Sequence, residues 1–277
     1  MKISFSTLAC PTWNLNAVLD AAIRYGYQGV ELRFLELDDR LWLRPEFRGS
    51  GLRDTRSRLA DAGLAISCVD TSCFFHHPEV ERRREALEMG RRMMELAAEL
   101  GAPAIRVFGD RVQPGADRAS TVNWIADGVR ELGCFGAERG VQCWLETHGD
   151  FAPSGGTQEI LQQAGHPNLG VIWDPANAYA ESGEEPRAGY ANLGERIRHV
   201  HVKDCRPPRE DAADRLWEPV LMGDGRFPAA DLIKLLRAAK FEGFASFEWE
   251  KRWHPEIAEP EVALPHFMAW MRRALEA

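Results

Sequence analysis

No two of the six cysteines form a CxxC pair, and none falls at another zinc-ligand spacing. Cys10, Cys68, Cys73, Cys134, Cys143 and Cys205 therefore read as small, mostly apolar fillers in a reducing compartment. No apolar run approaches the ~18 residues of a membrane span. The opening MKISFSTLAC is too short and too polar for a secretory leader, so a cytoplasmic protein without a membrane partner is expected. Basic charge is also scarce: Lys+Arg number 34 against 42 Asp+Glu, a formal net charge of -8. That sign argues against a nucleic-acid backbone as the main partner. A glycine-rich phosphate loop is missing after the first predicted strand, where the chain reads Leu8-Ala9-Cys10-Pro11-Thr12-Trp13. Linkers and low-complexity segments are missing too.

What is present is a regular alternation. Residues 2–8, 28–33, 64–70, 103–109, 141–147, 169–174, 197–204 and 244–249 are β-rich. Helical patterns fall at 14–26, 50–62, 79–101, 117–139, 156–165, 187–195, 228–240 and 260–276. Glycines 26, 63, 101, 140 and 165 come after the last helical residues, as C-caps do. Strands that alternate with helices pair in parallel. Eight of them without a phosphate loop favour closure over an open doubly wound sheet. The expectation is α/β: a single (β/α)8 TIM barrel occupying residues 1–277 as one domain. The longest stretch without periodicity, 205–227, reads as a functional loop.

Side chains alternate faces along a strand. Val141, Cys143 and Leu145 suit the helix layer, which leaves Gln142, Trp144 and Glu146 inside the barrel. By the same rule Asp174, His199, His201, Lys203, Ser246 and Glu248 point inward near the C-terminal strand ends. Carboxylates and imidazole gathered at one mouth repel or strand one another unless a cation joins them. Oxygen donors with one imidazole and no thiolate suit Mn²⁺, Mg²⁺, Co²⁺ or Zn²⁺, with manganese foremost. Glu31 and Arg106 also face inward, and an ion pair inside the barrel accounts for both.

These segments resemble a known group. FSTLACPTWNL, GYQGVELR (26–33), LETHGDF (145–151), VIWDPANA (171–178), RHVHVKD (198–204), LMGDGRFP (221–228) and FASFEWEK (244–251) occur in the order found in the xylose isomerase-like TIM-barrel superfamily. That group includes sugar (phosphate) isomerases and epimerases, inosose dehydratase and endonuclease IV. The resemblance implies that Glu146, Asp174, His201 and Glu248 bind one divalent metal ion. It also implies that Glu146 and Glu248 form an acid/base pair, and that His199 lies deeper as a structural residue. Two positions depart from the ketose 3-epimerases: Asn177 replaces a histidine, and Lys203-Asp204 replaces Gly-Glu. The extra histidines of endonuclease IV have no counterparts here, which leaves DNA repair the least favoured reading.

The function expected is a metal-dependent sugar or sugar-phosphate isomerase or epimerase working through an enediolate. The alternative is a dehydratase or lyase acting on a keto-sugar, keto-inositol or 3-keto-glycoside. The partner is then a small carbohydrate. His148, Lys203, Arg33, Arg206 and Trp253 are the candidate substrate contacts. Lys203 is equally explained by pairing with a carboxylate at the mouth. Barrels of this group are often homodimers or homotetramers.

Overall fold

The computed structural model describes residues 1–208 and 217–276. Eight parallel strands close into a barrel: β1 (Lys2–Ser6), β2 (Gly29–Leu32), β3 (Ala65–Phe74), β4 (Ala104–Phe108), β5 (Gln142–Glu146), β6 (Leu169–Trp173), β7 (Ile197–Val202) and β10 (Phe244–Phe247). β1 pairs with both β2 and β10, so no barrel strand has a free edge. The expected (β/α)8 barrel is the fold.

The crossovers are α1 (Leu15–Tyr25), α2 (Gly49–Asp61), α3 (Val80–Leu100), α4 (Arg118–Ala137), α5 (Ser154–Ala164), α7 (Pro186–Leu193) and α8 (Ala229–Ala238), with α9 (Pro260–Glu276) after the last strand. Local chemistry sets their ends. The Asn14 side chain accepts a hydrogen bond from the Ala17 N–H and opens α1. Gly26 closes it at φ 82°, a left-handed conformation costly for other residues.

Two elements depart from the sequence reading. A short α6 (Pro175–Ser182) falls between 169–174 and 187–195, where the sequence pattern gives no helix; Asp174 caps it and Pro175 occupies its first turn. The predicted loop at 205–227 instead contains an antiparallel ribbon, β8 (Asp204–Arg206) with β9 (Glu218–Val220). Residues 209–216 of that stretch lie outside the described residues. Asp204 ties the ribbon to the turn after β9 by accepting from the backbone N–H groups of Cys205, Gly223 and Gly225. A Cβ on Gly225 would fall 1.9 Å from its carboxylate, so the turn needs glycine.

Outward strand residues such as Val171, Trp173, Val200, Val202 and Phe247 join the helices in one apolar layer. Cys68, Ala104, Trp144 and Ile172 form a small separate plug inside the barrel. Above the plug, towards the C-terminal strand ends, the interior is charged.

Candidate metal centre

Neighbouring strand ends deliver four donors. Glu146 ends β5, Asp174 comes just after β6, His201 lies in β7, and Glu248 comes just after β10. Ser246, two residues before Glu248, is in register with His201. One donor atom from each of the four lies within 4.8 Å of the others, and all four residues are buried. His201 Nδ1 is 3.3 Å from Glu146 Oε1, 3.4 Å from Glu248 Oε1 and 3.7 Å from Asp174 Oδ2. On its other side, His201 Nε2 sits 2.9 Å from Glu31 Oε1. Burial disfavours the imidazolium, but the charges of Glu248, Glu31 and Glu146 hold its pKa well above the usual value. With a cation among the donors, a proton kept on Nε2 for Glu31 would leave Nδ1 free to bind that cation.

The arrangement fits a divalent cation. His201 Nδ1 is buried without a hydrogen-bond partner, and Asp174 Oδ2, beside it in the donor cluster, meets only the Lys203 ammonium. Orphaned buried polar atoms are costly. Burial, aided by the charges of Glu146 and Asp174, raises the Glu248 carboxyl to about 7 despite His201 and Lys203. A cation among the oxygens would relieve both costs. Glu31, His199 and His201 form a second cluster, but Glu31 accepts from Nε2 of both histidines at 2.9 Å. That carboxylate is therefore already engaged.

Charged side chains surround the donors. Lys203 Nζ lies 2.9 Å from Asp174 Oδ2, 2.7 Å from Glu248 Oε2 and 2.6 Å from Glu250 Oε1. Burial disfavours its charge, but these carboxylates hold the ammonium well above its usual pKa. Glu31 and Arg106 are not partners in a direct ion pair, contrary to the sequence reading. The bulge between Val30 and Glu31 and the strand order seat Glu31 against the histidines. Arg106 instead bonds Glu146 Oε2 at 2.8 Å and stands 3.7 Å from Asp70. Burial favours the neutral acid at Glu146, yet Arg106 and His201 hold it well below the ordinary carboxylate range.

A cavity of about 360 Å³ opens over the donors. Glu146 and Glu248 line it together with Arg33, His148, Lys203 and Trp253. His148 Nδ1 is 3.2 Å from Asp110 Oδ1, and Trp253 meets Phe34 edge-on at 5.8 Å. Arg206 is not in this lining; it lies on the ribbon, 3.3 Å from Glu218. Asn177 turns its amide to the Thr147 carbonyl. Asp110, Phe74 and Phe108 also line the cavity and escaped the sequence reading. For Phe108 and Asp110 the sequence signal was the Phe108-Gly109-Asp110 run at the end of β4; the left-handed Asp110 backbone, φ 58°, is visible only in the structure.

Comparison with known proteins agrees with this architecture. A 3-dehydroshikimate dehydratase of Pseudomonas putida is 27% identical over 254 residues, covering 90% of this chain and 38% of that protein. An inosose dehydratase of Klebsiella pneumoniae is 30% identical over 149 residues, 49% of each chain. The chain thus spans half or less of the length of these curated relatives. Among solved structures, the probable 3-DHS dehydratase AsbF of Bacillus anthracis has a TM-score of 0.79 at 20% identity, covering 98% of this chain and 99% of that one. The IOLI protein, solved with a zinc atom, has a TM-score of 0.81 at 17% identity over 100% and 98%. The model of the xylose isomerase-like TIM barrel matches residues 19–274, and the chain belongs to that family.

Proposed function

We propose that this protein is a divalent-metal-dependent dehydratase that removes water from a small polyhydroxylated ketone. The 2.8 Å ion pair between Arg106 and Glu146 carries this reading. A glutamate-pair isomerase or epimerase needs both carboxylates to exchange protons with the substrate. Here a buried guanidinium keeps Glu146 anionic, so the two glutamates are not interchangeable. Glu248 faces the same cavity with no guanidinium bonded to it, so it is the base in this reading.

Glu248 takes the proton from the carbon beside the carbonyl. The electron pair released forms a carbon–carbon double bond as the bond to the β-hydroxyl breaks. His148, oriented by Asp110, gives that hydroxyl its proton, and water leaves. Lys203 holds the Glu248 and Asp174 carboxylates in place. A divalent ion on Glu146, Asp174, His201 and Glu248, with manganese the first choice, would supply Lewis-acid polarisation of the carbonyl. The dehydratase names of the two curated relatives support the reaction class.

Sugar isomerisation or epimerisation is the second reading. It is favoured by the near-equal distances of Glu146 and Glu248 from His201 Nδ1, 3.3 and 3.4 Å. Incubating the Mn²⁺-loaded protein with 3-dehydroshikimate, inososes and keto-sugars separates the two. Mass loss of one water is expected. A product of unchanged mass carrying solvent deuterium would establish the isomerase instead.

A further inference from the structure

The cavity contains a cation whose bonding is incomplete. Arg33 comes directly after β2, and its side chain is only 6% exposed. Its backbone N–H and that of Phe34 both donate to the Thr7 hydroxyl, at 2.8 and 3.0 Å, which anchors the turn. The guanidinium stacks over the Phe34 ring, 4.2 Å from its centroid. Nη2 donates to Ser72 Oγ at 2.7 Å, and Ser72 in turn donates to Asp39. Nη1 has no hydrogen-bond partner; Asp39 Oδ2 stands off at 3.7 Å.

Leaving a guanidinium donor unpaired at such depth is costly. Burial and the like charge of Arg106 pull the Arg33 pKa down to about 10, against the pull of Asp70 and Asp39. An added anion would relieve that cost. Arg33 shares its cavity with Glu146 and Glu248, so a ligand over the metal donors also meets this wall. At about 360 Å³ the cavity is at the small end of ligand pockets, suited to one substituted ring. The planar guanidinium fork matches a planar carboxylate.

We propose that Arg33 recognises a carboxylate on the substrate, which makes the substrate a hydroxylated keto-acid and not a neutral sugar. The proposal rests on the dehydratase reading and narrows it.

The test is calorimetric titration of the full chain, Mn²⁺-loaded and metal-free, with benzoate, benzyl alcohol and phenyl phosphate. Benzoate is expected to bind at least about ten-fold more tightly than benzyl alcohol, and Arg33→Gln to abolish the difference while leaving benzyl alcohol binding unchanged. A benzoate preference that is absent, or that survives Arg33→Gln, overturns the proposal. Tighter binding of phenyl phosphate than of benzoate overturns the carboxylate assignment in favour of a phosphoryl group. Should Arg33→Gln fail to fold, the Arg33 guanidinium resonance of the wild-type protein, assigned by its loss in Arg33→Lys, provides the readout. It must shift on benzoate addition, and an unmoved resonance overturns the proposal. An intact Arg33-dependent preference without water loss from any ketone sinks only the dehydratase reading.

Discussion

His201 Nε2 lies 2.9 Å from Glu31 Oε1 while its Nδ1 faces Glu146, Glu248 and Asp174. A buried carboxylate behind an imidazole fixes its tautomer and strengthens the opposite nitrogen as a donor. Glu31→Gln removes that charge and leaves one of the two histidine N–H groups without a full acceptor. Manganese affinity should fall about 10- to 100-fold, measured by calorimetric titration. An unchanged affinity would mean that His201 does not face the metal through Nδ1.

Protein purified without chelator should contain about one divalent ion per chain by elemental analysis. His201→Ala and the double variant Glu146→Gln/Glu248→Gln should lose it. His199→Gln should keep it, because His199 belongs to the Glu31 cluster and not to the four-donor set. Metal retained in the double variant would refute the ligand assignment.

Arg106 compensates Glu146 directly and stands beside buried Asp70. Arg106→Met keeps an unbranched apolar stem, removes the guanidinium and strands both carboxylates. Removing one partner of a buried ion pair typically costs about 3–5 kcal/mol. Urea unfolding should report a loss of that order; a loss below about 1 kcal/mol would show that water or proton uptake replaces the guanidinium.

Asp110 and His148 should couple most strongly in mildly acidic solution. Burial raises the Asp110 carboxyl, but the His148 imidazole 3.2 Å away outweighs it and lowers its pKa. Burial lowers the His148 pKa, but Asp110 and Glu146 outweigh it and raise it. The aspartate contribution is present above its unfolded value and is lost as pH falls through the lowered one. The histidine contribution is full below its unfolded value and is lost as pH rises through the raised one. The window of full coupling is therefore about pH 4 to 6.5. Partial exposure limits its size to about 1 kcal/mol or less. A double-mutant cycle of Asp110→Asn and His148→Gln at about pH 5.5 should show a coupling that vanishes near pH 9. A pH-independent coupling would contradict an ionic dyad.

One thiol should react in the native protein. Cys134 is exposed, whereas Cys10, Cys68, Cys73, Cys143 and Cys205 are buried. Burial pushes the Cys73 and Cys205 thiols up to about 12, which suppresses thiolate further. Ellman's reagent should titrate one cysteine before denaturation and all six after it. Rapid reaction of a second would reveal opening of the barrel layer.

Much of the frame was legible because its signals are local. Period-two alternation placed Glu146, Asp174, His201 and Glu248 on the inner face, since a strand cannot turn one side chain without turning its neighbours. Glycine after helix ends marked crossovers for the same local reason. The α6 helix went unread although Asp174-Pro175 is an N-cap with proline at the next position, because the pair serves a turn equally well. The ribbon at Asp204 went unread because its pairing joins residues separated by a long segment.

Composition and alternation by themselves determined a parallel barrel with charged strand ends, because backbone periodicity and capping act within a few residues. They could not decide which charges meet. The barrel's closure and register put Glu31 against His199 and His201, gave Arg106 to Glu146, and left Arg33 Nη1 unpaired beside the same cavity. Those pairings belong to the tertiary structure because each side chain's inward direction is set along its own strand. Its partner depends on how far neighbouring strands are staggered around the closed barrel.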